Sequence, residues 1–187
     1  MSIFSDLIHR NLFFISLALS LISLPFSEYT LSIGVIALAV NWIFEGKFKQ
    51  KFESLRYRKS TQFFLLIYLS LLLGMFYTSN LAYGISELRL KLPLLVLPIV
   101  LATSKPISKK ELFYLLSVFV LSVLLASFYS TFLFYKYFHF GGANVREISP
   151  FISHIRFGLM VNIAFFISIF YFIRPPLSLN KNVRWFY

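Results

Sequence analysis

Long apolar runs alternate with short polar connections along this chain. Each run is apolar on all sides and lacks the polar stripe of a helix on the surface of a soluble protein. The six runs cover residues 11–26, 31–45, 61–77, 92–103, 112–135 and 157–173. Continuous runs of this kind predict helices, because the strands of a membrane barrel alternate between apolar and polar residues.

The lengths of the runs predict helices that cross a lipid bilayer. A spanning helix needs about 20 apolar residues. The fifth run exceeds this length, the third and sixth just reach it, and the first two reach it with neighbours such as Leu7 and Phe44. The fourth run contains Pro93 and Pro98, so a broken or re-entrant helix is an alternative there. We therefore predict an all-α polytopic membrane helix bundle with about six transmembrane helices.

The composition agrees with a membrane protein. Hydrophobic residues make up 58% of the 187 positions and charged residues 13%, with a mean hydropathy of +0.77. Soluble domains have about 45–50% apolar and about 25% charged residues, which argues against an ordinary soluble enzyme or a disordered chain. The sequence contains no Cys, which excludes thiol chemistry and thiolate metal sites. No linker or repeat divides the sequence, so residues 1–187 are predicted to form a single membrane domain.

The positive charges lie mainly between the apolar runs. The formal net charge is +11. If the N-terminus is cytoplasmic, the predicted inner side carries thirteen of the 18 Lys and Arg residues, including those of the basic loop 47–59, and the outer side carries five. The positive-inside rule therefore favours a cytoplasmic location for both termini. The same rule and the attraction to anionic lipids explain the basic loop, so nucleic acid is not a predicted partner.

The longest predicted outer connection, residues 136–156, contains most of the candidate chemistry. His154 and Arg156 lie at the entrance of the sixth run. An ionisable group at membrane depth is costly and usually faces the bundle interior or a water-filled cavity. The planar guanidinium group matches phosphate oxygens, and the phosphate of a lipid-linked substrate lies at this depth. Arg156 is therefore predicted to bind such a phosphate; the alternative is that its side chain only snorkels to the membrane surface.

Other polar residues have simpler explanations beside a functional one. Arg146 is either a further phosphate ligand or a solvated loop residue, and His139 fits an interfacial side chain. His154 is a minor candidate for a general base, and no catalytic residue is assigned. Glu28 is expected only to be solvated, whereas Asn162 is expected to hydrogen-bond to another helix. No metal-ligand or nucleotide-binding motif is found, so the predicted mechanism uses neither a metal nor a cofactor.

Two stretches carry a resemblance to a known family. They are residues 86–98, SELRLKLPLLVLP, and residues 148–160, ISPFISHIRFGLM. Together with a short helical pair ahead of a basic loop, they resemble the N-terminal half of the O-antigen ligase and polymerase family. Family members have about twice as many helices as are predicted here. The resemblance therefore implies an N-terminal half that is truncated and inactive alone.

The resemblance also implies a function. Family members lie in the bacterial inner membrane and transfer a glycan from an undecaprenyl-diphosphate carrier to an acceptor on the periplasmic face, which for ligases is the lipid A-core oligosaccharide. Arg156 best matches the arginines that bind the carrier diphosphate, and Arg89 and Arg146 match less closely. The family's catalytic His lies in the other half, so His154 does not inherit its role. The alternatives from other classes are a small membrane transporter or channel subunit and a non-catalytic membrane scaffold.

Overall fold

The computed structural model describes residues 3–139 and 151–174, and every regular element in these ranges is a helix. The predicted all-α class is therefore confirmed. A single 3-10 turn, Met75–Tyr77, follows the fourth helix. The helices are α1 (Ile3–Ser23), α2 (Glu28–Glu45), α3 (Phe48–Tyr57), α4 (Lys59–Gly74), α5 (Leu81–Leu90), α6 (Leu92–Thr103), α7 (Lys109–His139) and α8 (His154–Ile173).

Four of the described helical segments are long and apolar enough to cross a membrane by themselves. α2 and α3 qualify together as a fifth span, although the chain bends by 115° between them. The predicted number of about six also counted the fourth run. That run forms the 12-residue helix α6, which is too short because a span needs about 20 residues. The four single segments are Asp6–Ser23, Lys59–Tyr77, Lys109–Lys136 and His154–Ile173.

The outward faces of these segments are largely apolar. Only 22% of the α1 segment, 39% of the α7 segment and 6% of the α8 segment is buried. Exposing such contiguous apolar surface to water would cost free energy, and soluble monomers rarely do so. Lipid removes that cost, so the chain is a membrane protein whose helices present apolar side chains to the bilayer.

The fourth run itself is not broken: it forms the single helix α6, which continues through Pro98, and the helix break lies before it at Lys91. α5 begins after Asn80, whose side chain accepts a hydrogen bond of 3.1 Å from the Tyr83 backbone N–H. It ends before Lys91, where α6 begins. Pro93 lies in the first turn of α6, where its missing N–H leaves no hydrogen bond unmade.

The sharp bend between α2 and α3 is made by two residues with left-handed backbone conformation. Gly46 has φ +66° and Lys47 has φ +54°. Glycine adopts this conformation without steric cost, but a residue with a Cβ does not. The Lys47 conformation is therefore a local strain that the bend requires.

The chain packs as two compact units, each of which is described by itself. Unit 1 comprises Met1–Phe14 and Val35–Pro106, and unit 2 comprises Ile15–Gly34 and Ile107–Tyr187. The division runs through α1, through α2 and through the connection between α6 and α7, so α1 and α2 each contribute to both units. In unit 1, α6 packs against α3, α4 and α5, whereas in unit 2 α7 packs against α8.

The core of unit 2 joins three helices. Phe119, Val120 and Val123 of α7 are buried against Ala164 of α8, and Leu21 of α1 packs against them. The side chains at the centre of this contact are of mixed size, with the small Ala164 facing the larger residues of α7. The small side chain of Ala164 lets α7 and α8 pack closely at this point.

α1 and α2 also approach closely within unit 2. A Cβ atom added to Gly34 of α2 would lie 2.4 Å from Ser20 Oγ and 3.2 Å from the Ser16 carbonyl oxygen of α1. Small residues at a helix interface allow backbones to approach in this way in membranes. The Ser20 hydroxyl donates a hydrogen bond of 2.9 Å to the Ser16 carbonyl, so it brings no unsatisfied polar group into the interface.

Candidate functional site

Arg156 lies in the first turn of α8, at the entrance of a candidate span, as the sequence predicts. α8 begins after Ser153, whose carbonyl accepts a hydrogen bond of 2.9 Å from the Phe157 backbone N–H. The Arg156 side chain is 58% exposed. Its guanidinium group is therefore accessible at the end of an apolar helix.

Glu28 is the partner of Arg156 within unit 2. Arg156 Nη1 donates to Oε1 of Glu28, the first residue of α2, although 128 positions separate the two residues. The expectation that Glu28 is only solvated is therefore wrong: its side chain is 63% exposed but forms an ion pair. A pair this exposed contributes little to stability, because water and salt screen it.

Aromatic contacts position the chain segment that leads into α8. The Phe151 ring lies 5.4 Å from the Phe26 ring and 5.2 Å from the Tyr129 ring. Phe26 belongs to the turn between α1 and α2, and Ser27 Oγ accepts a hydrogen bond of 3.3 Å from the Thr30 backbone N–H as α2 begins. The start of α8 is thus held beside the start of α2. We call Glu28, Phe151, Arg156 and the two helix N-termini the Arg156 corner.

The electrostatics of the Arg156 corner favour an anion. Each helix N-terminus carries backbone N–H groups without partners inside the helix and the positive end of the helix dipole. The Arg156 guanidinium adds a full positive charge, and the Glu28 carboxylate is the anion that the folded chain itself provides. The Glu28 carboxylate is exposed, so water and salt screen its attraction to Arg156.

The other two predicted phosphate ligands are Arg89 and Arg146. Arg89 is exposed on α5 in unit 1, whereas Arg156 belongs to unit 2. Next to Arg89, Lys91 donates to Glu87 at 2.8 Å. This hydrogen bond, together with the charge of Lys91, holds the pKa of Glu87 below its ordinary value. Arg146 lies outside the described residues.

Two further predicted residues can be placed on α8. His154, the minor candidate for a general base, is the first residue of α8 and is exposed. Asn162 Nδ2 donates to the Gly158 carbonyl of its own helix at 3.1 Å. The expected hydrogen bond from Asn162 to another helix is therefore wrong among the described residues, where this bond within α8 is the one that its side chain forms. The side chain of His139 lies outside the described residues.

A second polar centre, in unit 1, was missed by sequence reasoning. Lys51 of α3 is only 4% exposed and pairs with Glu45 at 2.9 Å. Its ammonium group also donates to the Trp42 carbonyl at 2.7 Å and lies 4.6 Å from the centre of the Trp42 ring. We call Lys51, Glu45, Trp42 and Phe48 the Lys51 cluster. The apolar spacing of Phe48, Phe52 and Leu55 is the sequence signal for the amphipathic helix that carries it.

Unit 1 also joins α1 to α2 through polar side chains. Asn41 Oδ1 lies 2.8 Å from His9 Nδ1, and Asn41 Nδ2 donates to the His9 carbonyl at 2.9 Å. Asp6 pairs with Lys47 at 2.8 Å and with Lys105 at 3.2 Å. The cavity beside these residues measures about 20 Å³, which is room for about one water molecule. This region therefore joins helices and has no space for a small-molecule ligand.

Comparison of the chain with known proteins identified no relative. Protein-family models, curated proteins and solved structures were compared with the chain, and none matched. Among the side chains that the structure describes, no three from His, Cys, Asp or Glu lie close enough together to hold a metal ion. The chemistry of the Arg156 corner is therefore the basis for a functional proposal.

Proposed function

We propose that this chain is the carrier-binding part of a membrane glycosyltransferase of the O-antigen ligase kind. In this proposal it lies in the bacterial inner membrane with both termini in the cytoplasm, which requires the segment of α5 and α6 to cross the membrane together with Glu87, Arg89 and Lys91 at the membrane surface. It binds an undecaprenyl-diphosphate-linked glycan at the periplasmic face, for transfer to an acceptor such as lipid A-core. The observation that carries the proposal is an exposed guanidinium group, at the entrance of a candidate span, beside the N-termini of two helices.

The depth and charge of the Arg156 corner suit a diphosphate on a lipid carrier. The prenyl chain of the carrier lies among the acyl chains, and its diphosphate lies at the level of the headgroups. A diphosphate offers more charge than one carboxylate and can accept two parallel hydrogen bonds from a guanidinium group. It therefore displaces Glu28 from Arg156. Arg146 and Arg89 remain further diphosphate ligands that are predicted from the family resemblance alone.

The same interaction assists the transfer reaction. The acceptor hydroxyl attacks the anomeric carbon, and the bond from that carbon to the carrier phosphate breaks. The electron pair of this bond remains on the departing phosphate oxygen, where negative charge grows. Arg156 stabilises that charge, and an interaction that strengthens as charge develops accelerates the reaction. The acceptor hydroxyl gives up its proton to a base that the proposal does not assign, with His154 as a minor candidate.

The distribution of cations and two groups of contacts support the proposed orientation. Arg156 and Glu28 belong to two connections assigned to the outer side. Asp6, Lys47 and Lys105 belong to three segments assigned to the inner side. Each group brings together segments that the positive-inside rule assigns to the same face.

A binding measurement tests the proposal directly. The full chain in lipid nanodiscs is titrated with undecaprenyl diphosphate, and the bound fraction is read by native mass spectrometry. We expect Arg156→Ala to weaken binding about tenfold, since a charge-assisted hydrogen bond contributes roughly 1.4 kcal/mol or more. Arg156→Lys keeps the charge but loses the planar fork and should fall in between. Arg174→Ala is the matched control, because Arg174 is exposed at the other end of α8.

Two results would overturn the proposal. One is unchanged affinity in Arg156→Ala; the other is an equal loss in Arg174→Ala, which would indicate a nonspecific effect of charge. The orientation has its own test, because the sequence has no Cys and a single engineered thiol can be labelled cleanly. A Ser153→Cys variant should react with a membrane-impermeant reagent added to the periplasmic side. Labelling only from the cytoplasm would contradict the orientation.

A further inference from the structure

Unit 1 contains an open cleft along α4 and α6 whose two ends differ in polarity. Its volume is about 520 Å³, within the range of about 300–1,000 Å³ that ligand sites occupy. One end is formed by the residues around the start of α4, and the remainder is apolar. The polar lining residues are Arg58, Ser60 and Thr61, and the apolar ones include Phe64, Leu97 and Leu101.

Thr61 gives the polar end a hydrogen-bonding group without a protein partner. Its side chain is only 6% exposed. Within the part of the chain that the structure describes, no group forms a hydrogen bond with the Thr61 hydroxyl, although its backbone N–H donates to the Arg58 carbonyl at 3.0 Å. Buried hydroxyl groups nearly always have a partner. Because Thr61 lines the cleft and its oxygen is not sealed off from it, a molecule in the cleft is the partner available.

The polar end also carries positive charge. Arg58 is exposed immediately before α4, and Lys59 is the first residue of that helix. The α4 N-terminus adds the positive end of its dipole. The structure places no acidic side chain within 4.0 Å of the charged atoms of Arg58 or Lys59 among its described residues. This end of the cleft therefore favours a phosphate group over a neutral one.

The remaining wall of the cleft fits a hydrocarbon chain. Phe64 of α4 is 41% exposed and Leu101 of α6 is 42% exposed, and both line the cleft. The candidate span Lys59–Tyr77 begins next to Arg58. Arg58 therefore lies at the depth of lipid headgroups, while Phe64, one to two turns further along α4, lies at the depth of acyl chains.

We propose that this cleft binds one anionic phospholipid from the surrounding leaflet. The lipid phosphate accepts hydrogen bonds from Arg58 and from the Thr61 hydroxyl. One acyl chain lies against Phe64 and Leu101 between α4 and α6. A zwitterionic lipid binds less well, because its own ammonium group offsets the charge that Arg58 recognises. This site lies in unit 1 and does not depend on the Arg156 corner or on the proposed transferase function.

Lipid titration followed by native mass spectrometry tests this site. The full chain in detergent is titrated separately with dioleoylphosphatidylglycerol, dioleoylphosphatidylcholine and glycerol 3-phosphate, the last of which supplies the phosphate without acyl chains. We expect one phosphatidylglycerol to be retained, about five- to tenfold more tightly than phosphatidylcholine, and glycerol 3-phosphate not to be retained. Arg58→Ala should remove that preference.

Two variants and one control distinguish specific binding in the cleft from nonspecific attraction of anionic lipids to the positive charge of the chain. Thr61→Val keeps the shape of the side chain but removes its hydroxyl, and should weaken phosphatidylglycerol binding several-fold. Leu101→Trp should narrow the apolar part of the cleft, where the acyl chain lies, and weaken retention. Lys49→Met removes an exposed cation of α3 that does not line the cleft, and should leave binding unchanged. Circular dichroism checks that each variant is folded; if Leu101→Trp is not, Thr61→Val decides.

Three results would overturn the proposal. The first is equal retention of phosphatidylglycerol and phosphatidylcholine. The second is a loss in Lys49→Met as large as that in Arg58→Ala, which would indicate that only total charge matters. The third is unchanged binding in both Thr61→Val and Arg58→Ala.

Discussion

The Lys51 cluster and the Arg156 corner each pair one cation with one carboxylate, but their surroundings differ. Lys51 is 4% exposed and contacts Glu45, the Trp42 carbonyl and the Trp42 ring. Arg156 is 58% exposed, and Nη1 donates to a single carboxylate oxygen of Glu28. A buried cation whose donors are used by the protein stabilises the fold. An exposed guanidinium group with further N–H donors can bind something else.

This comparison is tested most strongly at Lys51. Lys51→Met would leave Glu45 without its partner in a largely buried position. Removing one member of such a pair is costly, so we expect the free energy of unfolding to fall by about 3 kcal/mol. The measurement is unfolding in mixed micelles with increasing dodecyl sulfate. Lys49→Met is the control, because Lys49 is an exposed cation of the same helix. Equal stability of the two variants would mean that burial does not distinguish Lys51.

The second largest effect is expected at the contact between α1 and α2 in unit 2, where Gly34 lies against Ser20. In Gly34→Val the added side chain would collide with Ser20. We expect a loss of about 1–3 kcal/mol, since overpacking a close contact forces atoms to shift. Gly158→Ala is the matched control in α8, because nothing lies within 4 Å of a Cβ placed there. If Gly34→Val is as stable as Gly158→Ala, backbone packing does not hold this region together.

Glu28→Gln should separate stability from binding at the Arg156 corner. Because the pair is exposed, we expect the free energy of unfolding to change by less than about 1 kcal/mol. The same substitution removes the carboxylate that competes for Arg156, so affinity for undecaprenyl diphosphate should rise several-fold in the nanodisc titration. Glu45→Gln should behave in the opposite way, with lower stability and unchanged binding. A large loss of stability in Glu28→Gln would mean that the Arg156 corner is structural.

The smallest effect is expected at the exposed pair of Glu87 and Lys91 on α5. The pKa of Glu87 is lowered by the hydrogen bond from Lys91. This pair therefore stabilises the folded chain above the ordinary pKa of a glutamate, and the contribution disappears as the pH falls through the lowered value. Hydrogen exchange of α5 should accelerate slightly in that acidic range, and Glu87→Gln should abolish the pH dependence. A pH dependence that persists in Glu87→Gln would assign it to another group.

The sequence predicted the long apolar helices well, because their composition alone requires lipid around them. The fifth run, residues 112–135, lies within α7, and the sixth, residues 157–173, lies within α8. The sequence did not predict α3. Its segment was interpreted only as a basic loop, because the Lys and Arg residues obscure the spacing of the apolar residues between them. Phe48, Phe52 and Leu55 recur at the helical spacing that reveals this face.

The candidate site was predicted only in part. The position of Arg156 at a helix entrance follows from the end of an apolar run, which is a local property. Its pairing with Glu28 depends on contacts between segments 128 positions apart, which no local pattern contains. The burial of Lys51 was likewise invisible, because the positive-inside rule counts every lysine of a loop equally.

The bend at Gly46 and Lys47 has a mechanical consequence for α2. α3 leaves the end of α2 at 115° and so runs across its axis. If α2 moved deeper into the hydrocarbon, the exposed cations Lys49 and Arg56 would be removed from water. The cost would be about 2.5–3.5 kcal/mol for each charge that reaches the bilayer centre. If α2 crosses the membrane alone and α3 lies along the surface, α3 fixes the depth of α2 in the membrane.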